Sequence, residues 1–326
     1  MDINKAPSRI SAMLSLVPEF VRERRLPWRL SQTIARVNLQ LLRRYYDRQV
    51  LFTRPFLTGE DCPHFEVHTL LGHNHVGMVL WSVKSFLHQA GKKYTVVLHD
   101  DGSLTDSDTK TLGKHLLNVK IIRKSTADTL IEERITGLPN CCEYRFTAKE
   151  TSDHRGIKYD MHIFAVRLFD FNLISNGTKT LVLDADVLFF KMPREIIEWA
   201  EDVEDRNSLY SVEQYIPRRN SQNEIIGYEL KTPRPTDANA GLLCFDKRAF
   251  SLEALEDWIG ANKEKMNTYA TFEQAAYNHL IKSKGGSTPL PDTYSFNYTD
   301  QNVIATHFAI KILFFTNLKR LEKALH

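Results

Sequence analysis

Apolar positions along the chain change period. Between residues 28 and 50, Leu30, Ile34, Val37, Leu41 and Tyr45 recur at helical spacing, while Arg29, Arg36 and Arg43 repeat on another face. That is the pattern of an amphipathic, arginine-rich helix. From about residue 64 the pattern turns to alternation. Phe65–Leu71 and Tyr94–His99 read as strands, and Val76–Gln89 between them keeps helical periodicity, so the segment opens as β-α-β. Thr105 and Asp108 predict a capping box on a helix reaching Asn118, followed by a strand at Val119–Ile122.

The same reading predicts helices at Met161–Asn172, Glu195–Glu201, Leu252–Asn262 and Thr271–Lys282, and strands at Thr180–Leu183, Ser208–Ser211 and Gly241–Phe245. Strand and helix alternate, which predicts an α/β fold with a mostly parallel central sheet and helices on both faces. Residues 123–157 and 212–238 show no clear period and contain Pro and Gly; long irregular stretches of this kind are expected to shape a binding cleft. The organisation expected is a basic helical extension over residues 1–60 and a catalytic domain over 61–326.

Composition adds limits. The chain has 326 residues, 42% hydrophobic and 25% charged, with a net charge of +3, which excludes disordered and fibrous classes. The basic excess is local: residues 1–50 carry ten Lys/Arg against four Asp/Glu, leaving 33 basic and 36 acidic residues in the rest. This points to packing on the catalytic body or to contact with an anionic membrane through residues 20–50. Nucleic acid is not expected as a partner, because no aromatic-interleaved basic groove follows. No run reaches the roughly eighteen apolar residues of a membrane span, and no signal-peptide pattern opens the chain. The expected location is cytoplasmic, peripheral at the inner face of a membrane. Cys62, Cys141, Cys142 and Cys244 match neither a disulfide framework nor a zinc spacing, in keeping with a reducing compartment.

The chemistry concentrates in Thr180-Leu-Val-Leu-Asp184-Ala-Asp186-Val-Leu-Phe-Phe190. Two carboxylates interrupt an apolar run, and buried charges are costly unless paired or metal-bound. At the carboxyl end of a core strand they predict a cation site for Mn²⁺ or Mg²⁺. Asp106-Ser-Asp108 has the same form and is explained as acids in a first helical turn. His73 and His75 lack a third nearby ligand and predict no zinc site.

In this order the motifs resemble those of the retaining GT-A glycosyltransferases, in particular the family of glycogenin and the bacterial galactosyl- and glucosyltransferases. Val67-His68-Thr69-Leu70-Leu-Gly72, with Gly77 following, resembles the first strand and uridine-binding loop. Asp184-Ala185-Asp186 is similar to the Asp-x-Asp motif, with Arg167 seventeen residues earlier where a donor-contacting basic residue belongs. Asn239-Ala-Gly241 resembles Asn-Ser-Gly at the donor sugar, and Glu273-Gln274 resembles an Asp-Gln pair. Leu290-Pro291 with Asn297 is similar to a Leu-Pro…Asn segment, and His307-Phe-Ala-Ile-Lys311 falls where a metal-binding His and a phosphate-binding Lys belong. The closing motif departs from the family's His-x-x-Gly-x-x-Lys-Pro-Trp, lacking the Gly, Pro and Trp, with Lys311 two positions early.

The resemblance spans residues 65–311 and implies a Rossmann-like GT-A domain moving a hexose from a UDP-sugar to a saccharide, glycolipid or protein acceptor. It implies Asp184, Asp186 and His307 as metal ligands. It also implies His68, Thr69, Leu70, Asp101, Arg167, Ala185, Asn239, Gly241 and Lys311 at the donor, and Glu273, Gln274 and Arg167 at the chemistry. A sugar nucleotidyltransferase is disfavoured, since Leu71-Gly-His-Asn-His75 is not a Gly-rich basic nucleotide loop. A non-catalytic sugar-nucleotide binder is the remaining alternative.

Overall fold

The strand and helix alternation that begins near residue 64 builds one seven-stranded sheet in this computed structural model. The structure describes residues 28–59, 61–148, 150–152, 158–212, 215–219, 225–230, 238–266, 272–284 and 286–326, with side chains of residues 28–35, 150–152, 158–159, 215–219, 225–230 and 284 left aside. Helix α1 (Trp28–Gln49) precedes the sheet domain. Strand β1 (Phe65–Leu71), helix α2 (Val76–Ala90), strand β2 (Thr95–Asp100), helix α3 (Asp106–His115) and strand β3 (Lys120–Ile122) follow. Then come α4 (Lys124–Ile135), α5 (Pro139–Thr147), α6 (Met161–Leu173), β4 (Lys179–Leu183), β5 (Val187–Phe189), α7 (Arg194–Glu201) and β6 (Ser208–Val212). The chain continues through β7 (Ala238–Asp246), α8 (Leu252–Ala261), α9 (Phe272–Lys284), β8 (Ser287–Pro289), β9 (Tyr294–Phe296), β10 (Ala305–His307), α10 (Lys311–Asn317) and α11 (Lys319–Leu325).

The sheet order is β8-β6-β7-β4-β1-β2-β3. β4, β1, β2 and β3 are parallel, and β7 runs antiparallel to both β4 and β6. Strands β4, β1 and β2 are buried on both faces, so they read as largely apolar runs, while β3 at the edge is more exposed. One core packs α2, α7, α10 and α11 on one face, and a second packs α4, α5, α6, α8 and α9 on the other. Beyond the end of β4, β5 joins a three-stranded sheet of order β9-β10-β5, which brings the C-terminal His307 beside Val187 in antiparallel register.

The predicted capping box is present: Asp108 N donates to Thr105 Oγ1, and Thr105 N donates to Asp108 Oδ2. Other expectations change. Residues 124–147, read as irregular, form α4 and α5; α4 is helical on the narrow stripe Ala127, Ile131 and Ile135, too sparse among polar residues to show as a period. Both helices pack into the second core and line no described cavity. Residues 215–219 and 225–230 form a hairpin, while 153–157, 213–214, 220–224 and 231–237 lie outside the described residues, so the expected cleft role of 212–238 falls largely there.

Helix α1 packs on a different stripe from the one predicted. Leu42, Tyr46 and Val50 are buried in the first core, against α2 and α10, with Trp81 Nε1 donating to Tyr46 O. Val37 and Leu41 face outward. Arg43, placed on the solvated face, instead donates to Asn74 O and pairs with Asp47, which lies against Gly77, where a Cβ would overlap its carboxylate.

In the sheet interior Glu66 accepts from Ser175 Oγ at 2.7 Å and from Asn176 N at 2.9 Å, and lies 3.3 Å from His68 Nε2. His68 Nδ1 in turn sits 2.9 Å from His99 Nε2. Burial, then the neighbouring His68, holds the His99 imidazole well below its ordinary value of 6.5. A folded-state pKa below the unfolded one means the unfolded chain binds the extra proton, so the stability due to neutral His99 is present above pH 6.5 and lost as pH falls below it. In urea titrations across pH, His99→Asn is expected to flatten this slope by up to about 1.4 kcal/mol per pH unit; an unchanged slope contradicts it.

Candidate active site

The apolar run of β4 ends at Leu183, and the chain turns through Asp184-Ala185-Asp186 before β5. Asp184 N donates to Gly241 O of β7 at 2.9 Å, and Phe308 N donates to Asp186 O at 2.9 Å. These bonds fix both acidic residues at the carboxyl edge of the sheet, where strand ends leave room for a ligand. His307, the last residue of β10, brings Nε2 to 3.6 Å from Asp184 Oδ2 and 3.3 Å from Asp186 Oδ1. One ligand atom from each of Asp184, Asp186 and His307 lies within 4.8 Å of the others, the only such set among the described residues. Two carboxylate oxygens and an imidazole nitrogen suit Mn²⁺ and accommodate Mg²⁺.

Neighbours orient these donors. His307 Nδ1 is 3.0 Å from Asn239 Oδ1, which also accepts from Gly241 N at 2.7 Å, so Nε2 is left to face the carboxylates. Arg167 Nη2 lies 3.1 Å from Asp184 Oδ1 and also donates to Ala240 O, leaving Asp184 Oδ2 toward His307. Lys311 pairs with Asp186 Oδ2. Burial would raise the Asp186 carboxyl, but His307 and Lys311 outweigh it and hold it well below the usual range. For His307 burial lowers the pKa, and the Asp186 charge and hydrogen bond reverse the sign. Protonated, that imidazole offsets part of the carboxylates' charge; deprotonated, its Nε2 is available to a metal ion.

Behind this set, Glu273 at the start of α9 is buried with Oε1 3.4 Å from Arg167 Nε, and neither atom has a hydrogen-bond partner among the described residues. Burial pushes the Glu273 carboxyl up to about 8; Asp184 adds to the rise and Arg167 opposes it. Glu273 therefore holds its proton more tightly than an ordinary carboxyl and backs Arg167.

A cavity of about 210 Å³ opens beside the acidic pair, its wall formed by Leu70, Asp101, Arg167, Asp184, Ala185 and Lys311. Asp101 turns back on its loop, with Oδ1 accepting from Ser103 N at 2.8 Å, and its carboxylate lies where a Cβ on Gly72 would stand.

Comparison with solved structures adds the architecture. The galactosyltransferase LgtC, in complex with donor and acceptor sugar analogues, superimposes with a TM-score of 0.52 at 17% identity, over 80% of this chain and 96% of that one. Mouse xyloside xylosyltransferase 1 in its apo form matches at 12% identity with a TM-score of 0.47, over 78% and 98% of the two chains. The fold is GT-A. No protein-family model and no curated protein sequence matches the chain.

On this GT-A scaffold, Asp184, Asp186, Asn239, Gly241, His307, Arg167, Glu273 and Lys311 converge on one point, and Leu70, Asp101 and Ala185 line the adjoining cavity. Two residues implied at the donor do not reach it through their side chains: His68 and Thr69 are fully buried in β1. Position along the strand accounts for this, since the cavity meets only its carboxyl end, at Leu70, Leu71 and Gly72. Gln274 is half-buried on α9; its backbone carbonyl accepts from Asn278 Nδ2 at 2.9 Å, and it lines no described cavity. Met78 and Ile163 line the cavity and carried no sequence signal, being apolar residues on helices otherwise read as core. His75 also lines it, which accounts for one of the two histidines that form no zinc site, while His73 pairs with Asp108 at 2.8 Å.

Asn297 holds the His307 end in place. Its φ of 53° is in the left-handed region, which Asn tolerates, and its Oδ1 accepts from Ile310 N at 2.9 Å. With Asn297 N donating to His307 O at 2.9 Å, the two hydrogen bonds join the end of β9 to β10 and to the turn that carries Lys311.

Gly241 shows how tightly the site is built. A Cβ there would overlap the His307 ring and come within 2.8 Å of Asp184 Oδ2. Gly241→Ala is expected to weaken Mn²⁺ binding about 10–100-fold by displacing His307 and Asp184, the two candidate ligands that its Cβ would meet; calorimetric titration giving a wild-type affinity contradicts this.

Proposed function

We propose that the chain is a divalent-metal-dependent glycosyltransferase that moves a hexose from a UDP-sugar to a saccharide, glycolipid or protein acceptor with retention at the anomeric carbon. The observation that carries the reading is the convergence of Asp184, Asp186 and His307 at the carboxyl edge of the sheet, beside a cavity walled by Leu70 and Asp101. A bound Mn²⁺ or Mg²⁺ supplies positive charge where the departing diphosphate gathers negative charge.

The chain's own residues do the rest. Leu70 and the backbone through Gly72 receive the base, and Asp101 faces the ribose. Arg167 is pre-paired to Asp184, so its guanidinium stays fixed while the donor binds. Lys311, paired with Asp186 on its outer side, would offer its ammonium to a phosphate oxygen of the donor. Asn239 and Gly241 receive the sugar. Glu273 is buried behind Arg167 and lines no described cavity, so it is poorly placed to act as a base, which favours transfer of the acceptor proton to the departing diphosphate. Glu273 is thus assigned to positioning Arg167, with Gln274 kept at the chemistry by resemblance alone. Residues 61–326 are taken as the catalytic domain and 1–60 as its extension, on the cytoplasmic side of a membrane. No helix among the described residues is long and apolar enough to cross a membrane.

The test is a panel of UDP-sugars incubated with the protein and Mn²⁺. Sugar release that stops on chelation supports the reading. Donor binding without turnover for every sugar points to a non-catalytic binder and overturns it.

A further inference from the structure

Six of the ten exposed large apolar side chains among the described residues are Val37, Leu41, Leu51, Phe52, Leu57 and Leu117. Four of these lie between residues 37 and 52, and Leu57 pairs with Leu117 in a short parallel bridge just beyond. Scattered apolar residues on a surface are ordinary; a concentration on one element is a feature.

Helix α1 explains it. Its Leu42–Tyr46–Val50 stripe is already buried against the body, so the helix carries a second apolar stripe, Val37 and Leu41, on the opposite side, 48% and 53% exposed. At 3.6 residues per turn Arg44 and Arg48 follow on that same side, and the stripe runs into Leu51 and Phe52, the latter 72% exposed. Arg36 flanks it, also exposed. The one acid between residues 36 and 52, Asp47, is turned toward Arg43 and Gly77.

We propose that this outer face of α1, continued through Leu51 and Phe52, docks the protein on the surface of an anionic bilayer. The chemistry selects that partner. Apolar side chains with arginines among and beside them, on an exposed helical face, put hydrocarbon below the headgroups while the guanidinium groups stay at headgroup level. Arg36, Arg44 and Arg48 supply the complementary charge, each adding to attraction for acidic lipid. The face that docks is therefore the stripe left free by packing. The surface does not depend on the catalytic reading, because none of Arg36, Arg48, Leu51 and Phe52 touches the acidic pair or the cavity beside it.

The experiment is co-sedimentation of the full chain with phosphatidylcholine vesicles, with and without phosphatidylglycerol. The wild type is expected to bind the anionic vesicles and to bind the neutral ones at least about tenfold more weakly. Leu51→Ser/Phe52→Ser and Arg36→Glu/Arg48→Glu are each expected to lose about tenfold or more in affinity for anionic vesicles. Both variants should keep wild-type thermal stability and wild-type Mn²⁺ binding, so a folding defect is visible separately. Equal binding to both vesicle types overturns the proposal, as does wild-type affinity in both variants. No vesicle binding by the full chain also overturns it, and leaves residues 1–27 or a protein as the cover for this face.

Discussion

Asp186→Ala is expected to lower Mn²⁺-dependent sugar release at least about 10²–10³-fold while leaving the protein folded. Asp186 holds the middle of the site: Oδ1 faces His307 Nε2 at 3.3 Å, and Oδ2 is paired with Lys311. Removing it takes one of three ligand groups and unpairs two cations at once. The fold should survive, because the carboxylate makes no bond within the main sheet and its backbone carbonyl still accepts from Phe308 N. The assay is donor hydrolysis at saturating Mn²⁺, with thermal unfolding as the control. Activity within about threefold of wild type would remove Asp186 from the chemistry.

Arg145→Met is expected to cost about 3–5 kcal/mol of stability. Arg145 is buried on α5, with Nε 2.8 Å from Asp170 Oδ1 and Nη2 2.8 Å from Asp128 Oδ1. Asp170 lies on α6 and is itself buried, and desolvation already pushes its carboxyl up to about 6 against the pull of Arg145. Without the guanidinium, that carboxylate is left unpaired in the core. Replacing both partners, as Arg145→Met with Asp170→Asn, should restore part of the loss, since an amide carries no charge to desolvate. Asp170 lies three residues beyond Arg167 on α6, close to one helical turn, so the same pair also steadies the helix that presents Arg167 to Asp184. Urea denaturation separates the outcomes, and a loss under about 1 kcal/mol would mean the pair is not holding α5 to α6.

The strands and helices of the main sheet were legible because their signals are local. A period of two or of 3.6, a Thr105–Asp108 capping box and a Gly or Pro stop each act within a few residues. Asp184 and Asp186 were legible for a related reason: charges inside an apolar run need a purpose that solvent cannot provide. His307 was different. Nothing near it in sequence marks a ligand, and its placement depends on β10 pairing with β5, a contact across more than a hundred residues that only the order of family motifs could supply.

What was illegible follows the same logic. The resemblance to a uridine-binding first strand implies His68 and Thr69 at the donor, but a motif does not say that the cavity meets β1 only at its end, and both side chains are sealed in the sheet. On α1 the stripe of Val37 and Leu41 was the more regular one, yet the larger Leu42, Tyr46 and Val50 took the packed side, because Trp81 and the C-terminal helices offered them a matching surface. A helix apolar on two sides does not reveal from sequence which side is inward. Helices α4 and α5 were missed because each buries too few residues to set a period.

The central claim is that Asp184, Asp186 and His307 hold one divalent ion. Pulsed electron paramagnetic resonance on the protein with Mn²⁺ and UDP tests it most directly, because it detects nitrogen bonded to manganese. The account predicts coupling to a single imidazole nitrogen that disappears in His307→Gln. A Mn²⁺ signal without histidine nitrogen coupling, or one unchanged in that variant, would contradict it.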